Sequence, residues 1–198
     1  MIVGITGGYC SGKDSASRLF AEYGFTVVDV DRLGYEALEV KKEDVVKAFG
    51  STVLTGAMID RKKLGRIVFG DRESRKKLES IVHPWMIRRV KALVKGKREV
   101  VINAALLVEM CLFVLCDFVL GVEVTEEEAI ARGMRRDSLS HDEALSRMRS
   151  QIPLKEKIQY VDKIIENNGS FEEYADQIIE LVGFLQGRKS GLRQGNNG

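Results

Sequence analysis

At 198 residues, 44% hydrophobic and 30% charged with only two prolines, the chain suits one packed α/β domain with room for a helical insertion, which excludes a disordered or low-complexity polymer. Lysine plus arginine outnumber aspartate plus glutamate by only 31 to 29, so the molecule as a whole is no polycation built to coat nucleic acid, and any anion site must be local. The three cysteines, Cys10, Cys111 and Cys116, are odd in number and lack Cys-x-x-Cys spacing, which argues against a disulfide framework and a zinc site.

Residues 2–6 form a short apolar run that reads as a first strand. No basic segment, apolar core or small-residue cleavage site marks export, so a cytoplasmic protein with reduced thiols is expected. Glycines follow, then a helical pattern with Ala16, Leu19, Phe20 and Tyr23 at i, i+3, i+4 and i+7. Residues 25–30 supply a second β-branched run ending in the acidic pair Asp29 and Asp31. From 33 to 97 the pattern is several helices, with Leu64, Ile67, Val68, Leu78, Ile81 and Val82 on the apolar side and no strand expected among them.

Strand character resumes at 100–103, at 118–124 and more weakly at 160–166. Alternation of strands with helices predicts a parallel sheet covered by helices. The apolar stretch 100–124 carries Asn103, Glu109, Asp117 and Glu123, which would be costly at membrane depth, so buried strands and no membrane partner are expected. Thr125 with Glu128, Ser140 with Glu143 and Ser170 with Glu173 have capping-box spacing and mark helix starts. The last helix carries Phe171, Tyr174, Ala175, Ile178, Ile179, Val182 and Leu185 on one stripe; beyond Gly187 the periodicity ends, and 188–198 is expected as a flexible tail.

Gly7-Gly8-Tyr9-Cys10-Ser11-Gly12-Lys13 satisfies Gly-x-x-x-x-Gly-Lys directly after a strand and before a helix, the context the phosphate-binding motif requires. Glycines let successive N–H groups turn inward, the following helix adds its unpaired amides, and Lys13 supplies a mobile point charge. Gly8, Tyr9, Cys10, Ser11, Gly12, Lys13, Asp14 and Ser15 are therefore the expected nucleotide-binding residues. The motif normally continues with Ser or Thr, whose hydroxyl helps hold Mg²⁺; here Asp14 stands in that place. A carboxylate is a hard-oxygen ligand, so Asp14 is expected to reach the metal directly or through water, although its charge opposes the phosphates. Ser15, about 100° further round the helix, is expected to point elsewhere.

Asp29 and Asp31 fall at the carboxyl end of the second strand, on one side by alternation, at the edge where open α/β sheets bind ligands. A carboxylate there suits a general base for an acceptor hydroxyl, with a helix cap as the alternative for Asp29.

Gly4-Ile-Thr-Gly-Gly-Tyr-Cys-Ser-Gly-Lys13 followed by Val27-Val-Asp-Val-Asp31 resembles the opening of the dephospho-coenzyme A kinases. Gly56-Ala-Met-Ile-Asp-Arg61, His83-Pro84, Leu106-Leu107-Val108-Glu109, the spacing of Arg132, Arg136 and Gln151, and Ile164-Ile-Glu-Asn167 extend the likeness to nearly the whole chain, with Ala105 where that family usually has proline. The resemblance implies a P-loop NTPase-type α/β fold: a parallel five-stranded sheet covered by helices, core residues 1–31 and 99–187 of a single domain 1–187, a helical coenzyme-binding insertion at about 32–98 and a lid at about 132–150. It implies ATP and Mg²⁺, a small-molecule acceptor, dephospho-coenzyme A, and a monomer or small homo-oligomer. Carried over by position, Asp31 is the base, Lys13 holds phosphates, Arg132 and Arg136 neutralise transition-state charge, and Asp29, Arg61, His83 and Glu109 are substrate-side or organising groups.

Other readings stay open at this point. Another nucleoside or nucleotide acceptor would use the same loop. Asp31-Arg-Leu-Gly34 spells the Asp-x-x-Gly of nucleotide switches, but no Asn-Lys-x-Asp segment accompanies it. The basic stretch Arg88, Arg89, Lys91, Lys95, Lys97 and Arg98 lacks interleaved aromatics, so a solvated helix face is expected there rather than a nucleic-acid interface.

Overall fold

The computed structural model describes the backbone of residues 1–194 and the side chains of residues 1–187 except Phe69. In chain order, β1 (Ile2–Gly7), α1 (Lys13–Glu22) and β2 (Thr26–Asp29) lead into α2 (Val30–Val40) and α3 (Lys42–Phe49). A small hairpin, β3 (Leu54–Thr55) with β4 (Met58–Ile59), precedes α4 (Arg61–Gly70) and the long α5 (Arg72–Val94). Then come β5 (Val100–Asn103), β6 (Phe118–Glu123), α6 (Glu126–Asp137), α7 (His141–Arg149), the single turn α8 (Leu154–Lys157), β7 (Lys163–Glu166) and α9 (Phe171–Gln194).

Strand alternation dictates the layers. In β5, Val101 packs into one apolar cluster while Val100 and Ile102 pack into the other, so the strand is covered on both faces. The first cluster joins Val3, Ile5, Val101, Leu120, Val122 and Ile165 of the sheet to Ala16, Leu19 and Phe20 of α1 and Tyr174, Ile178, Leu181, Val182 and Leu185 of α9. The second joins Val28, Val100, Ile102 and Val119 to Leu33 and Ala37 of α2 and Val82, Met86, Val90 and Val94 of α5. The five-stranded sheet runs β2-β5-β1-β6-β7, all neighbours parallel. The residues between α2 and α5 bury their own small core of Val45, Val53, Ile59, Leu64 and Val68. Leu38, Leu78 and Ile81 pack against both this core and the second cluster, which fixes the insertion to the sheet.

Two local readings change. The β3–β4 hairpin interrupts what read as uninterrupted helix; its turn is made by Gly56 at φ 61, and two-residue strands are too short to leave an alternation signal. Asp31 is not on a strand: β2 ends at Asp29, and Asp31 lies in the first turn of α2. Pro84 does not break α5, which continues through it. The α9 backbone runs on past Gly187 to Gln194; the expected tail at 188–198 otherwise falls on side chains and, from 195, backbone outside the described residues. Among the described residues no helix is long and apolar enough to cross a membrane.

Parallel pairing brings the carboxyl ends together. Register sets Asn103 beside Ile5 and Asp29, and Glu123 beside Glu166. The loop after β1, the start of α2, the segment after β5 and Asn167 after β7 therefore share one edge of the sheet.

Candidate active site

The loop between β1 and α1 is shaped by contacts that tolerate no side chain. A Cβ on Gly7 would lie 2.3 Å from Ser11 Oγ and 2.6 Å from the Val122 carbonyl oxygen. Gly12 has φ 100, and its Cβ would meet Asn167 Nδ2 at 2.2 Å. The loop carbonyls are held from outside: Asn167 Nδ2 donates to Ser11 C=O at 2.8 Å and the Tyr174 hydroxyl donates to Gly12 C=O at 3.1 Å. Gly12 C=O in turn receives the Ser15 and Ala16 N–H groups, which starts α1 and leaves the preceding amides at its positive end for an anion.

Lys13 is the hub. Its Nζ lies 2.6 Å from Asp31 Oδ2 and 2.9 Å from Asp14 Oδ1, and Asn103 Nδ2 donates to the same Asp14 oxygen at 2.8 Å. Burial works against the charged Lys13, but the two carboxylates outweigh it and hold its pKa above the ordinary lysine value. Burial likewise opposes ionised Asp14, and the hydrogen bonds from Lys13 and Asn103 outweigh it, keeping the carboxyl below its usual range. The second oxygen of Asp31, Oδ1, accepts the Ala105 N–H at 3.3 Å.

Two cavities meet at this hub. One, of about 370 Å³, is lined by the loop from Gly8 and Cys10 to Ser15, by Arg18, Arg132 and Arg136, and by Asn167, Gly169 and Phe171. The other, of about 600 Å³, is lined by Asp29, Asp31, Arg32, Tyr35, Ala105, Asp137, Arg147 and Gln151 together with loop residues including Tyr9. Gly8, Cys10, Lys13, Asp14 and Arg136 line both. The two compartments share Lys13 and Asp14, and Asp31 of the second is paired with that lysine at their junction.

Helix α6 brings two arginines to that point. Arg132 Nε donates to Glu128 at 2.8 Å and its Nη2 donates to the Asn167 carbonyl at 2.8 Å. Arg136 is gripped by Asp137 through two hydrogen bonds, 2.9 and 3.0 Å, and lies 5.6 Å from the Tyr9 ring centroid. Arg135, which shares their spacing, faces solvent instead. Asp137 also accepts from Arg147 of α7 at 2.8 Å and from the Tyr9 hydroxyl at 3.2 Å, so one carboxylate ties α6 and α7 to the phosphate loop. The Arg136 bonds hold Asp137 below the usual carboxylate range, and burial pushes the Tyr9 phenol up to about 12.

The remaining expected residues divide. Asp29 lines the second cavity but also caps α2, accepting the Arg32 N–H at 3.0 Å. Arg61 stacks at 4.1 Å on the ring of Tyr35, which lines that cavity. Ser15 lines the first cavity beside Arg18, which corrects the expectation that it points away; the helix begins at Lys13, and its first turn faces the cavity on both sides of Asp14. His83 and Glu109 line neither cavity. Glu109 is ion-paired with buried Lys157 at 2.7 Å, and burial lowers the His83 pKa against the opposing pull of Glu79 and Glu109. Asn103, Tyr35, Asp137 and Arg147 escaped the sequence reading. Only Asn103 carried a signal, as the polar residue closing an otherwise apolar strand.

A glycine-rich phosphate loop at the edge of a β2-β5-β1-β6-β7 parallel sheet, with a second cavity opening on its lysine, defines a P-loop kinase. The chain belongs to the dephospho-CoA kinase family, whose family model matches residues 1–173. A dephospho-CoA kinase of Carboxydothermus hydrogenoformans is 40% identical over 190 residues, covering 91% of this chain and 92% of its own. Among solved structures, TT1252 from Thermus thermophilus superposes with a TM-score of 0.78 at 34% identity over 93% of this chain and 97% of that one. The dephospho-CoA kinase from Campylobacter jejuni gives 0.68 at 26% identity, over 93% and 96%.

Proposed function

We propose that this enzyme transfers the γ-phosphoryl group of ATP to the ribose 3′-hydroxyl of dephospho-coenzyme A, giving coenzyme A and ADP. The observation that carries the reading is the ion pair of 2.6 Å between Lys13 and Asp31 at the junction of the two cavities. The triphosphate lies along the loop, its charge met by the loop amides and Lys13. Asp31 receives the acceptor hydroxyl, orients it and takes its proton as the oxygen attacks phosphorus, the usual contribution of a kinase carboxylate. Ala105 N–H keeps one Asp31 oxygen fixed while the other turns from Lys13 to the substrate.

In this reading Arg132 and Arg136 approach the transferring group from α6, and Arg136 exchanges its Asp137 partner for phosphoryl oxygens. Residues of about 132–150 then serve as the lid, and the insertion of about 32–98, through Tyr35 and the Arg61 stacked on it, receives the coenzyme.

The residues fit a hard divalent cation. Asp14 is half-exposed between the cavities with a carboxylate for Mg²⁺, and no group of three or more metal-type side chains exists among the described residues, so phosphate oxygens and water would complete the shell. Bound there, Mg²⁺ would neutralise charge on the β- and γ-phosphoryl oxygens.

A coupled assay with ATP, Mg²⁺ and dephospho-coenzyme A tests the assignment. Asp31→Asn should lower kcat by about 10²–10⁴-fold, the worth of a positioned base, with little change in KM for ATP. Wild-type turnover of another nucleoside acceptor in preference to dephospho-coenzyme A, or full kcat in Asp31→Asn, would overturn it.

A further inference from the structure

P-loop NTPases hold Mg²⁺ with the hydroxyl that follows the loop lysine and with an aspartate from a second segment, so one carboxylate serves the metal. In this chain the carboxylate itself follows the lysine, as Asp14. The side chain that meets it from the neighbouring strand is an amide, Asn103.

Asn103 closes β5 between Ile5 of β1 and Asp29 of β2, and only 2% of its surface is exposed. Its Nδ2 donates to Asp14 Oδ1 at 2.8 Å, and Lys13 Nζ meets the same oxygen at 2.9 Å. An ionised carboxylate only accepts, so the amide nitrogen must be the atom that faces Asp14, and a second ionised carboxylate at 103 could not make this bond. Among the described residues both contacts to the Asp14 carboxylate fall on Oδ1 and none on Oδ2, while the side chain lines both cavities. The remaining atom of the amide, Asn103 Oδ1, is buried and accepts no hydrogen bond among the described residues. A buried acceptor without a partner is rare and costly in folded proteins, and an ordered water or an ion with its hydration shell accounts for it.

We propose that the metal carboxylate has changed places in this chain. Asp14 supplies the carboxylate of the Mg²⁺ site, and Asn103 is its positioning residue, with Nδ2 holding Asp14 Oδ1 and its own Oδ1 accepting from a water of the cation's shell. The inference rests on Asp14 meeting the cation and deepens that reading by assigning position 103 the neutral half of the site. Two carboxylates in contact would repel each other and the triphosphate, and none would leave the cation to the phosphates alone.

Mn²⁺ is the probe, read by electron paramagnetic resonance on the complex with a non-hydrolysable ATP analogue, so that its affinity is measured without turnover. Asp14→Ser, Asn103→Asp, Asn103→Leu and the exchange Asp14→Ser/Asn103→Asp are compared with the wild type, with thermal melting to score folding. Asn103→Leu should bind Mn²⁺ roughly tenfold to a hundredfold more weakly, the usual loss when the partner of a metal ligand is removed. Asp14→Ser should lose at least as much. The exchange variant should recover most of that loss, because one carboxylate again stands at the two positions. Metal-free binding of the analogue should follow the carboxylate count: weakest in Asn103→Asp, tightest in Asp14→Ser, and as in the wild type in the exchange variant.

Wild-type Mn²⁺ affinity in Asn103→Leu, or a folded exchange variant no better than Asp14→Ser, overturns the inference. Should a buried carboxylate at 103 prevent folding, Asn103→Leu decides alone. If Asp14→Ser is weakened in those same cases, Asp14 stays a ligand and only the role of Asn103 falls. If Asp14→Ser binds Mn²⁺ as the wild type does, the metal reading of Asp14 is gone with it.

Discussion

Asp14 carries the sharpest consequence at the scale of single residues. It adds a negative charge where the phosphates bind, yet Lys13 and Asn103 keep it ionised and oriented toward the cavity junction. Two effects compete: repulsion of the triphosphate, and attraction of the cation that accompanies it. If the cation wins, Asp14→Ser raises the Mg²⁺ concentration needed for half-maximal activity while tightening metal-free nucleotide binding, both readable by titration calorimetry with and without Mg²⁺. An unchanged Mg²⁺ dependence in Asp14→Ser would remove its metal role. The loop and Lys13 were legible because the motif is local; Asp31 was picked out on a strand it does not occupy, and the first turn of α2 brings it to Lys13 instead. Glu109 and His83 could be picked out but not placed, since Glu109 pairs with Lys157, far along the chain, and His83 is partly buried with that same Glu109 and with Glu79, one turn back on α5, acting on it.

At the scale of elements, the α6–α7 hairpin is tied to the phosphate loop by a contact with no slack. A Cβ on Gly133 would meet the Tyr9 ring at 2.4 Å, and that ring is tethered by Asp137. Alanine would gain about 0.8–1 kcal/mol in helix propensity, but overpacking against a held ring costs about 1–3 kcal/mol, so overpacking decides the sign. Gly133→Ala should therefore weaken ATP binding and lower the melting temperature; equal or tighter ATP binding by calorimetry would show that the Tyr9 contact yields freely. Strands and capped helices were legible because alternation and capping-box spacing are short-range: Ser140 with Glu143 and Ser170 with Glu173 form reciprocal boxes. The β3–β4 hairpin was not, because four strand residues around Gly56 carry no period. Pro84 stands inside α5. A proline forfeits a helix hydrogen bond, but Val82, Met86 and Val90 bury the same α5 face against the sheet, and that burial carries the helix past it.

For the whole molecule, the partly buried His83 of α5 makes stability depend on pH. Burial lowers the folded pKa of His83 below the ordinary imidazole value of 6.5, with Glu79 and Glu109 opposing. Between the folded pKa and 6.5 the unfolded chain holds more protons at this site, so its contribution is complete above 6.5 and declines as pH falls through that window. Urea midpoints measured from pH 7.5 to 5 should fall with acidification, and His83→Gln should flatten that slope; an identical slope in the variant would assign the effect to other groups. The sheet order, by contrast, rests on pairings between strands distant in sequence, which alternation alone does not rank; the family likeness supplied five parallel strands but not their order. The claim on which everything turns is that two cavities meet at Lys13 and Asp31 to pass a phosphoryl group between them. A crystal structure with a non-hydrolysable ATP analogue, Mg²⁺ and dephospho-coenzyme A should put the terminal phosphoryl group against Lys13 and the ribose 3′-oxygen about 2.6–3.2 Å from an Asp31 oxygen. A triphosphate bound away from Gly12 and Lys13, or a 3′-hydroxyl turned from Asp31, would contradict it.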